Sequence, residues 1–180
     1  MVACAVVLWM LVLTIDQPDG RTLAVLLVAL ATTTIIGPGL AGADHDLDRA
    51  SAIAWPVRRA AHLLIAGTVA LGVLTMSVIA AEQLGGTGEL ARNVAGLTGL
   101  VGLGTAAAGA SRAALLPVVW TALVLRFAAP MGEPPTGPVT SVVLTWMVQP
   151  LDARPATIAA VTLAATGTLA YAFIGSRRLG

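Results

Sequence analysis

Long apolar runs separated by short loops constrain this chain more than any other feature of its sequence. They give a mean hydropathy of +0.90, and only 11% of the residues are charged. Such a composition is unsuited to a soluble domain and suited to lipid, where a transmembrane helix needs roughly 20 apolar residues to cross a ~30 Å hydrocarbon core. We therefore predict one all-α polytopic membrane domain over residues 1–180.

The runs predict six transmembrane helices. Residues 2–15 would reach only about 21 Å, but no charged n-region or small-residue cleavage site of a signal peptide precedes Asp16, so we interpret them as a first span. The other predicted spans are residues 22–40, 60–81, 94–110, 113–129 and 156–174. A kink is expected in the fifth span at Pro117.

A half-length apolar run lies between the fifth and the last predicted spans. Residues 139–148 follow a proline-rich stretch at 130–135 and end before Gln149 and Pro150. Ten residues of helix cover ~15 Å, which is half of the hydrocarbon core. The run therefore predicts a short re-entrant or interfacial helix before the last span.

The placement of arginine predicts the orientation of the bundle. Loops on the side of a cytoplasmic amino terminus would hold Arg49, Arg58, Arg59, Arg112, Arg177 and Arg178. The opposite loops would hold Arg21, Arg92, Arg126 and Arg154, diluted by six carboxylates. Because cytoplasmic loops carry an excess of basic residues, both termini are predicted to be cytoplasmic.

Several function classes are excluded by missing residues. The chain has no lysine, since all ten basic residues are arginine, so it can form neither a lysine-containing phosphate-binding loop nor a Schiff base. No basic run is long enough to follow a nucleic acid. Asp44, His45, Asp46 and Asp48 would spread around a helix axis, so no metal site is expected. No Ser, His and Asp set is spaced for nucleophilic catalysis, and the chain is predicted not to be an enzyme.

One predicted cytoplasmic segment, residues 42–59, is longer than the other loops. It begins with three carboxylates, those of Asp44, Asp46 and Asp48. These suit the positive end of a helix dipole, and apolar residues on neighbouring faces make the segment weakly amphipathic. Pro56 would end it, and Arg58 and Arg59 would begin span three at the lipid headgroups. We predict a short helix lying along the inner membrane surface.

This segment resembles the coupling helix of permeases of ATP-binding-cassette exporters of the drug and polysaccharide export type, also called type V. In that family a Pro-Val-Ser-Arg-like turn follows an acidic coupling segment between spans two and three. Here Trp55-Pro56-Val57-Arg58-Arg59 follows residues 44–49. The family also has short extracellular re-entrant helices between spans five and six, similar to residues 138–150 here.

The resemblance implies a permease subunit that moves a substrate outward across the bacterial inner membrane. Two such permeases, identical or different, would form the pore module. Separate cassette ATPases would bind ATP and Mg²⁺, so this chain would hold no cofactor of its own. The implied docking contacts are Asp44, Asp46, Leu47, Asp48, Arg49 and Trp55, and the implied membrane re-entry residues are Pro56, Arg58 and Arg59.

Two further alternatives remain open from the residues alone. In span four, Ala95 and Gly99 are four residues apart, as are Gly104 and Ala108, a spacing that lets helix backbones approach closely in lipid. These small residues predict either ordinary packing within the bundle or a subunit interface.

The alternative function is a structural or regulatory subunit that anchors a larger membrane complex, which predicts a bundle without a central cavity.

Overall fold

The computed structural model describes residues 18–41, 55–80, 87–127 and 138–176, together with Ala3, Val6, Val7, Met10 and Thr14. The α-helices within these ranges are α1 (Pro18–Thr34), α2 (Ile36–Gly39), α3 (Trp55–Ala80), α4 (Thr87–Ala108), α5 (Leu115–Phe127), α6 (Val139–Leu144) and α7 (Arg154–Ile174). Two 3₁₀ turns, Ala110–Arg112 and Trp146–Val148, complete the regular structure of the described ranges. The prediction of an all-helical fold is confirmed for this part of the chain.

Four described stretches are long and apolar enough to cross a bilayer. They are Thr22–Gly39, Trp55–Ile79, Ala110–Phe127 and Arg154–Ile174, which correspond to the second, third, fifth and last predicted spans. Less than half of each stretch is buried inside the bundle. The remaining faces expose large apolar side chains such as Met76 and Phe173, and such faces are suited to lipid. The predicted first span lies outside the described residues, apart from the five separate helical positions near the amino terminus.

Helix α4, the predicted fourth span, is the centre of the described bundle. Fourteen of its 22 residues are buried, whereas less than half of each of the four apolar stretches above is buried. Its sequence also differs from theirs, because it carries Arg92, Asn93 and several glycines within an otherwise apolar run. The helix therefore packs against its neighbours on most sides instead of presenting an apolar face to lipid.

Glycines allow the backbones of α4 and α7 to touch. Gly99 lies against the backbone of Leu163 and Gly167, and a Cβ at Gly102 would be 2.7 Å from the carbonyl oxygen of Gly167. These pairs advance together along both helices, so α4 and α7 run parallel. On another side of α4, a Cβ at Gly67 of α3 would lie 3.0 Å from the Thr98 side chain.

The carboxyl ends of α4 and α7 meet at one end of the bundle. The backbone N–H of Ala110 donates to Ser176 Oγ at 3.1 Å, and Tyr171 Oη donates to the carbonyl oxygen of Leu40 at 3.0 Å. Gly109 and Gly175 end the two helices with positive φ angles of 83° and 73°, a backbone conformation that glycine adopts without strain. This end, which also holds Trp55–Arg59 and Ala110–Arg112, is called the arginine end below.

The opposite end of the bundle holds α6 and is called the short-helix end below. Helices α1, α4 and α7 begin there, and α3 and α5 end there, so successive long helices alternate in direction. At this end Gly88 at the start of α4 contacts Leu151, two residues before Ala153. Segment 138–153 is therefore folded against the first turns of α4.

The predicted kink at Pro117 is instead a break one turn earlier in the chain. Residues Ala110–Arg112 form a 3₁₀ turn, and α5 begins at Leu115. A proline ring excludes the carbonyl group four residues before it from a regular helix, and here that group belongs to Ala113. The Ala113 carbonyl oxygen lies against Gly104, where a Cβ would be 2.5 Å away. Proline thus sits in the first turn of α5, a position that needs no N–H donor.

Candidate functional site

A small polar cluster lies within the apolar core at the short-helix end. Most buried threonines in the described residues satisfy their hydroxyl groups within their own helix, as Thr32 does on Val28 and Thr105 on Val101. Arg92 and Asn93 differ, because both are only 6% exposed and both donate hydrogen bonds to a distant part of the chain. These two neighbours on α4 are the most distinctive polar feature of the described core.

Arg92 and Asn93 together hold the backbone that follows the short helix. Arg92 Nη1 donates to the carbonyl oxygen of Pro150 at 3.0 Å, and Nη2 donates to that of Gln149. Asn93 Nδ2 donates to the carbonyl oxygen of Met147 at 2.9 Å. We call this set of three bonds the Arg92–Asn93 clamp. It joins the second turn of α4 to a segment more than 50 residues later in the sequence.

The local sequence explains why these carbonyl groups are available. The last carbonyls of a helical segment have no partner within it, and Pro150 cannot continue the 3₁₀ turn Trp146–Val148 because its ring fixes φ and removes a donor. A guanidinium is well suited to this place, since it presents several donors in one plane. A cation near a helix carboxyl terminus is also favoured by the helix dipole.

Side-chain packing holds the same segment from the other side. Trp146 is fully buried, and its indole ring lies over Gly96 of α4, where any Cβ would collide with the ring. Met147 Sδ accepts a hydrogen bond from Thr121 Oγ1 of α5 at 3.7 Å. Gln149 Nε2 donates to Thr145 Oγ1 at 2.8 Å, which closes the turn on itself. The segment is thus wedged between α4 and α5 as well as clamped.

The positive charge of Arg92 in the clamp is bound by backbone carbonyl groups and not by a carboxylate. Both of its acceptors for Arg92 are backbone oxygens, and Nε of Arg92 and Oδ1 of Asn93 have no hydrogen-bond partner in the described residues. Glu89 lies one turn earlier on α4 and is only partly buried. A buried guanidinium is costly unless its donors are satisfied, so its presence indicates a role in fixing this segment.

The structure describes only part of the predicted docking site. Asp44, Asp46, Leu47, Asp48 and Arg49 lie outside the described residues. Trp55 and Pro56 form the first turn of α3, which begins five residues before the predicted start of span three. Proline is well tolerated in a first helical turn, and Pro56 therefore belongs to α3 itself.

The described part of the re-entry sequence is basic and lies near the end of α7. The Arg58 guanidinium lies 5.6 Å from the centre of the Trp55 ring, a cation–π distance. Arg59 points to Gly175, where a Cβ would be 2.8 Å from Nη1. Arg59 is therefore brought to the end of α7, whereas Arg58 and Trp55 contact each other within the first turn of α3.

The small residues of α4 have two different environments. Gly99 and Gly104 are buried within the chain, against α7 and against Ala113 respectively. Ala95 is exposed and Ala108 is half-buried. The two glycines therefore serve packing within the bundle, which is the first of the two alternatives given by their spacing.

Sequence reasoning missed the clamp, because it placed Arg92 in an outer loop before a span that began at Val94. The available signal was the pair Arg92 and Asn93 directly beside a long apolar run without a proline or turn residue between them.

Among the described residues, no group of three or more His, Cys, Asp or Glu side chains is arranged to hold a metal ion. Comparison with protein-family models, curated proteins and solved structures gives no match.

Proposed function

We propose that this chain is the membrane permease subunit of an ATP-driven exporter. In this proposal the chain has six spans, with the amino-terminal run as the first and α4 as the fourth. Residues 42–54 form a cytoplasmic coupling helix on which a separate cassette ATPase docks. Both termini face the cytoplasm of a bacterial cell. The ATPase supplies ATP and Mg²⁺ binding, and a second permease completes the pore module.

The observation that carries the proposal is the clamped short helix before the last long helix. Segment 138–153 is half the length of a span, begins with α6 and is fastened to α4 by three hydrogen bonds. It lies at the end opposite Trp55–Arg59. An exporter needs an outer closure that opens only when the motor acts, and a short segment tethered to the central helix is suited to that role.

The helix contacts provide a physical connection between the proposed docking site and this closure. Helix α3 has 26 residues and is about 39 Å long, so it reaches from the arginine end to the opposite end. Its residues Leu63 and Gly67 pack against Gly102 and Thr98 of α4. A displacement of the coupling helix would therefore be passed through α3 to the helix that carries the clamp.

A second candidate function is a membrane subunit that anchors a larger complex without a pore of its own. The burial of α4 favours it, because a mostly buried helix occupies the centre of the described bundle. The permease proposal accommodates this filled centre by placing the substrate path between two permease subunits.

Co-purification from native membranes distinguishes the two functions. The affinity-tagged chain should retain an ATPase that contains a lysine-bearing phosphate-binding loop, and the complex in nanodiscs should hydrolyse ATP. The double variant Asp46→Ala/Asp48→Ala should lower ATPase retention at least tenfold. The matched control is Asp152→Ala, an exposed carboxylate at the short-helix end, which should retain the ATPase fully. Recovery of a stable complex that contains no nucleotide-hydrolysing subunit would support the anchor and contradict the permease.

A further inference from the structure

Segment 138–153 makes its backbone hydrogen bonds within itself. The N–H of Thr145 donates to the carbonyl oxygen of Ser141 at 2.9 Å, and that of Ala153 donates to the carbonyl oxygen of Pro150 at 3.2 Å. Across the described residues, no backbone hydrogen bond joins this segment to α4 or α5. The segment can therefore change its position as a unit without losing its own backbone bonds.

The polar connections between this segment and the rest of the bundle come from side chains. Arg92 and Asn93 of α4 donate to three of its carbonyl oxygens, and Thr121 of α5 donates to Met147 Sδ. Apolar packing adds to these bonds where the Trp146 ring lies on α4. Donors from one short stretch of α4 therefore make most of the bonds that keep the segment in place.

The closed position of the segment leaves polar groups without partners. Arg92 Nε, Asn93 Oδ1 and Trp146 Nε1 are buried and make no hydrogen bond to the described residues. Toward the arginine end, by contrast, the buried hydroxyl groups of Thr105 and Tyr171 are both bonded. A buried polar group without a partner bears the full cost of losing its water. Hydration of these three groups would therefore lower the free energy of an open position relative to the closed one.

The backbone at the end of the segment is suited to a pivot. Ala153 has φ −69° and ψ 81°, outside the helical region, and separates the segment from α7. We propose that segment 138–153 is a hinged cap, which swings away from α4 about Ala153 and admits water to Arg92 and Asn93. The closed position predominates at rest, and the open one is a minor state. This inference concerns the fold alone and is independent of the exporter proposal.

The test measures how fast a buried side chain of the cap meets water in the full chain, reconstituted in nanodiscs. Cys4 is the only cysteine, so the reporter is Cys4→Ser/Met147→Cys, which a water-soluble maleimide labels at position 147. The reference is Cys4→Ser/Leu63→Cys, because Leu63 is fully buried on α3. The reporter should be labelled about 1,000-fold faster than the reference, since it needs only the cap to open.

Three substitutions separate opening of the cap from unfolding of the bundle. Arg92→Lys weakens the clamp by about one hydrogen bond and should speed labelling of the reporter about tenfold. The matched control is Arg154→Lys, an exposed position at the same end, which should leave the labelling rate unchanged. Gly167→Ala disturbs the contact of α7 with Gly99 of α4, so it should speed labelling of the reference and not that of the reporter.

Oxidation of the native Met147 by hydrogen peroxide provides a second measurement, because Met147→Cys removes the sulfur that Thr121 contacts. Sulfoxide should form at Met147 in the folded chain, and about tenfold faster in Arg92→Lys. Equal labelling rates of the reporter and the reference would overturn the proposal. So would equal acceleration of both by Gly167→Ala, or a Met147 that resists oxidation until the bundle unfolds.

Discussion

Trp146 packs in the core through its large ring system, but its indole N–H makes no hydrogen bond to the described residues. Its side chain is fully buried over Gly96, yet its indole Nε1 has no hydrogen-bond partner in the described residues. A buried donor without a partner costs about 1–3 kcal/mol. The residue therefore stabilises the bundle through the volume of its rings, against an opposing cost from its N–H group.

The substitutions Trp146→Ala and Trp146→Phe should separate these two contributions. Trp146→Ala should lower the free energy of unfolding by about 3–5 kcal/mol, because it leaves a large cavity. Trp146→Phe should change it by less than about 1.5 kcal/mol, since relief of the unpartnered donor offsets the lost volume. The measurement is reversible unfolding in mixed detergent micelles. A Phe variant as unstable as the Ala variant would show that the indole N–H is satisfied.

Arg92 acts through its planar set of donors, and its replacement should release segment 138–153. Arg92→Ala removes two charge-assisted hydrogen bonds and should lower the free energy of unfolding by about 3 kcal/mol. Arg92→Lys keeps the charge but cannot reach both carbonyls in one plane, so about half of that loss should remain. The same unfolding assay measures both, and limited proteolysis between residues 128 and 153 should be faster in each variant.

The control for the Arg92 variants is Arg154→Ala. Arg154 is exposed at the first position of α7, where a positive charge is unfavourable to the helix dipole. Its removal should leave stability within about 0.5 kcal/mol of the wild-type value. If Arg92→Ala were as mild as this control, the hydrogen bonds of the clamp would contribute little to stability.

At the scale of elements, the pairing of α4 with α7 depends on glycine at particular positions. Gly167→Ala places a methyl group on the Gly99 backbone and should lower the free energy of unfolding by about 2–3 kcal/mol through overpacking. Gly72→Ala is the matched control, because nothing lies within 4 Å of a Cβ there. It should be neutral or stabilising by up to about 1 kcal/mol. Equal effects of the two substitutions would argue against close packing of α4 on α7.

The elements also show what the sequence could and could not predict. Residues 22–40, 60–81, 113–129 and 156–174 were recognisable because apolar length alone defines a membrane-spanning helix. The burial of α4 could not be predicted, because length and hydropathy do not say which neighbours surround a helix. The clamp was missed for a related reason: its acceptors are backbone carbonyls, which every residue has, so no pattern of side chains marks them. The sequence predicted an irregularity at Pro117 from the steric effect of the proline ring. The structure has that irregularity about one helical turn earlier, before α5 begins at Leu115.

At the scale of the whole molecule, charge and hydrogen bonding divide the bundle into two different ends. The arginine end holds Arg58, Arg59 and Arg112, and the short-helix end holds the buried Arg92–Asn93 clamp. The long helices alternate in direction between them. The proposed exporter places the arginine end at the cytoplasmic surface.

The absence of lysine allows this orientation to be tested without altering the charge of the chain. Arg112→Lys and Arg154→Lys each introduce a single lysine at an exposed position, one at either end. The charge bias that sets topology is therefore preserved in both variants. A membrane-impermeant amine reagent applied to spheroplasts should modify Lys-containing peptides of the Arg154→Lys variant, detected by mass spectrometry. The Arg112→Lys variant should be modified only after the membrane is permeabilised. The reverse pattern would place the arginine end outside the cell, where a docking site for a cytoplasmic ATPase has no use.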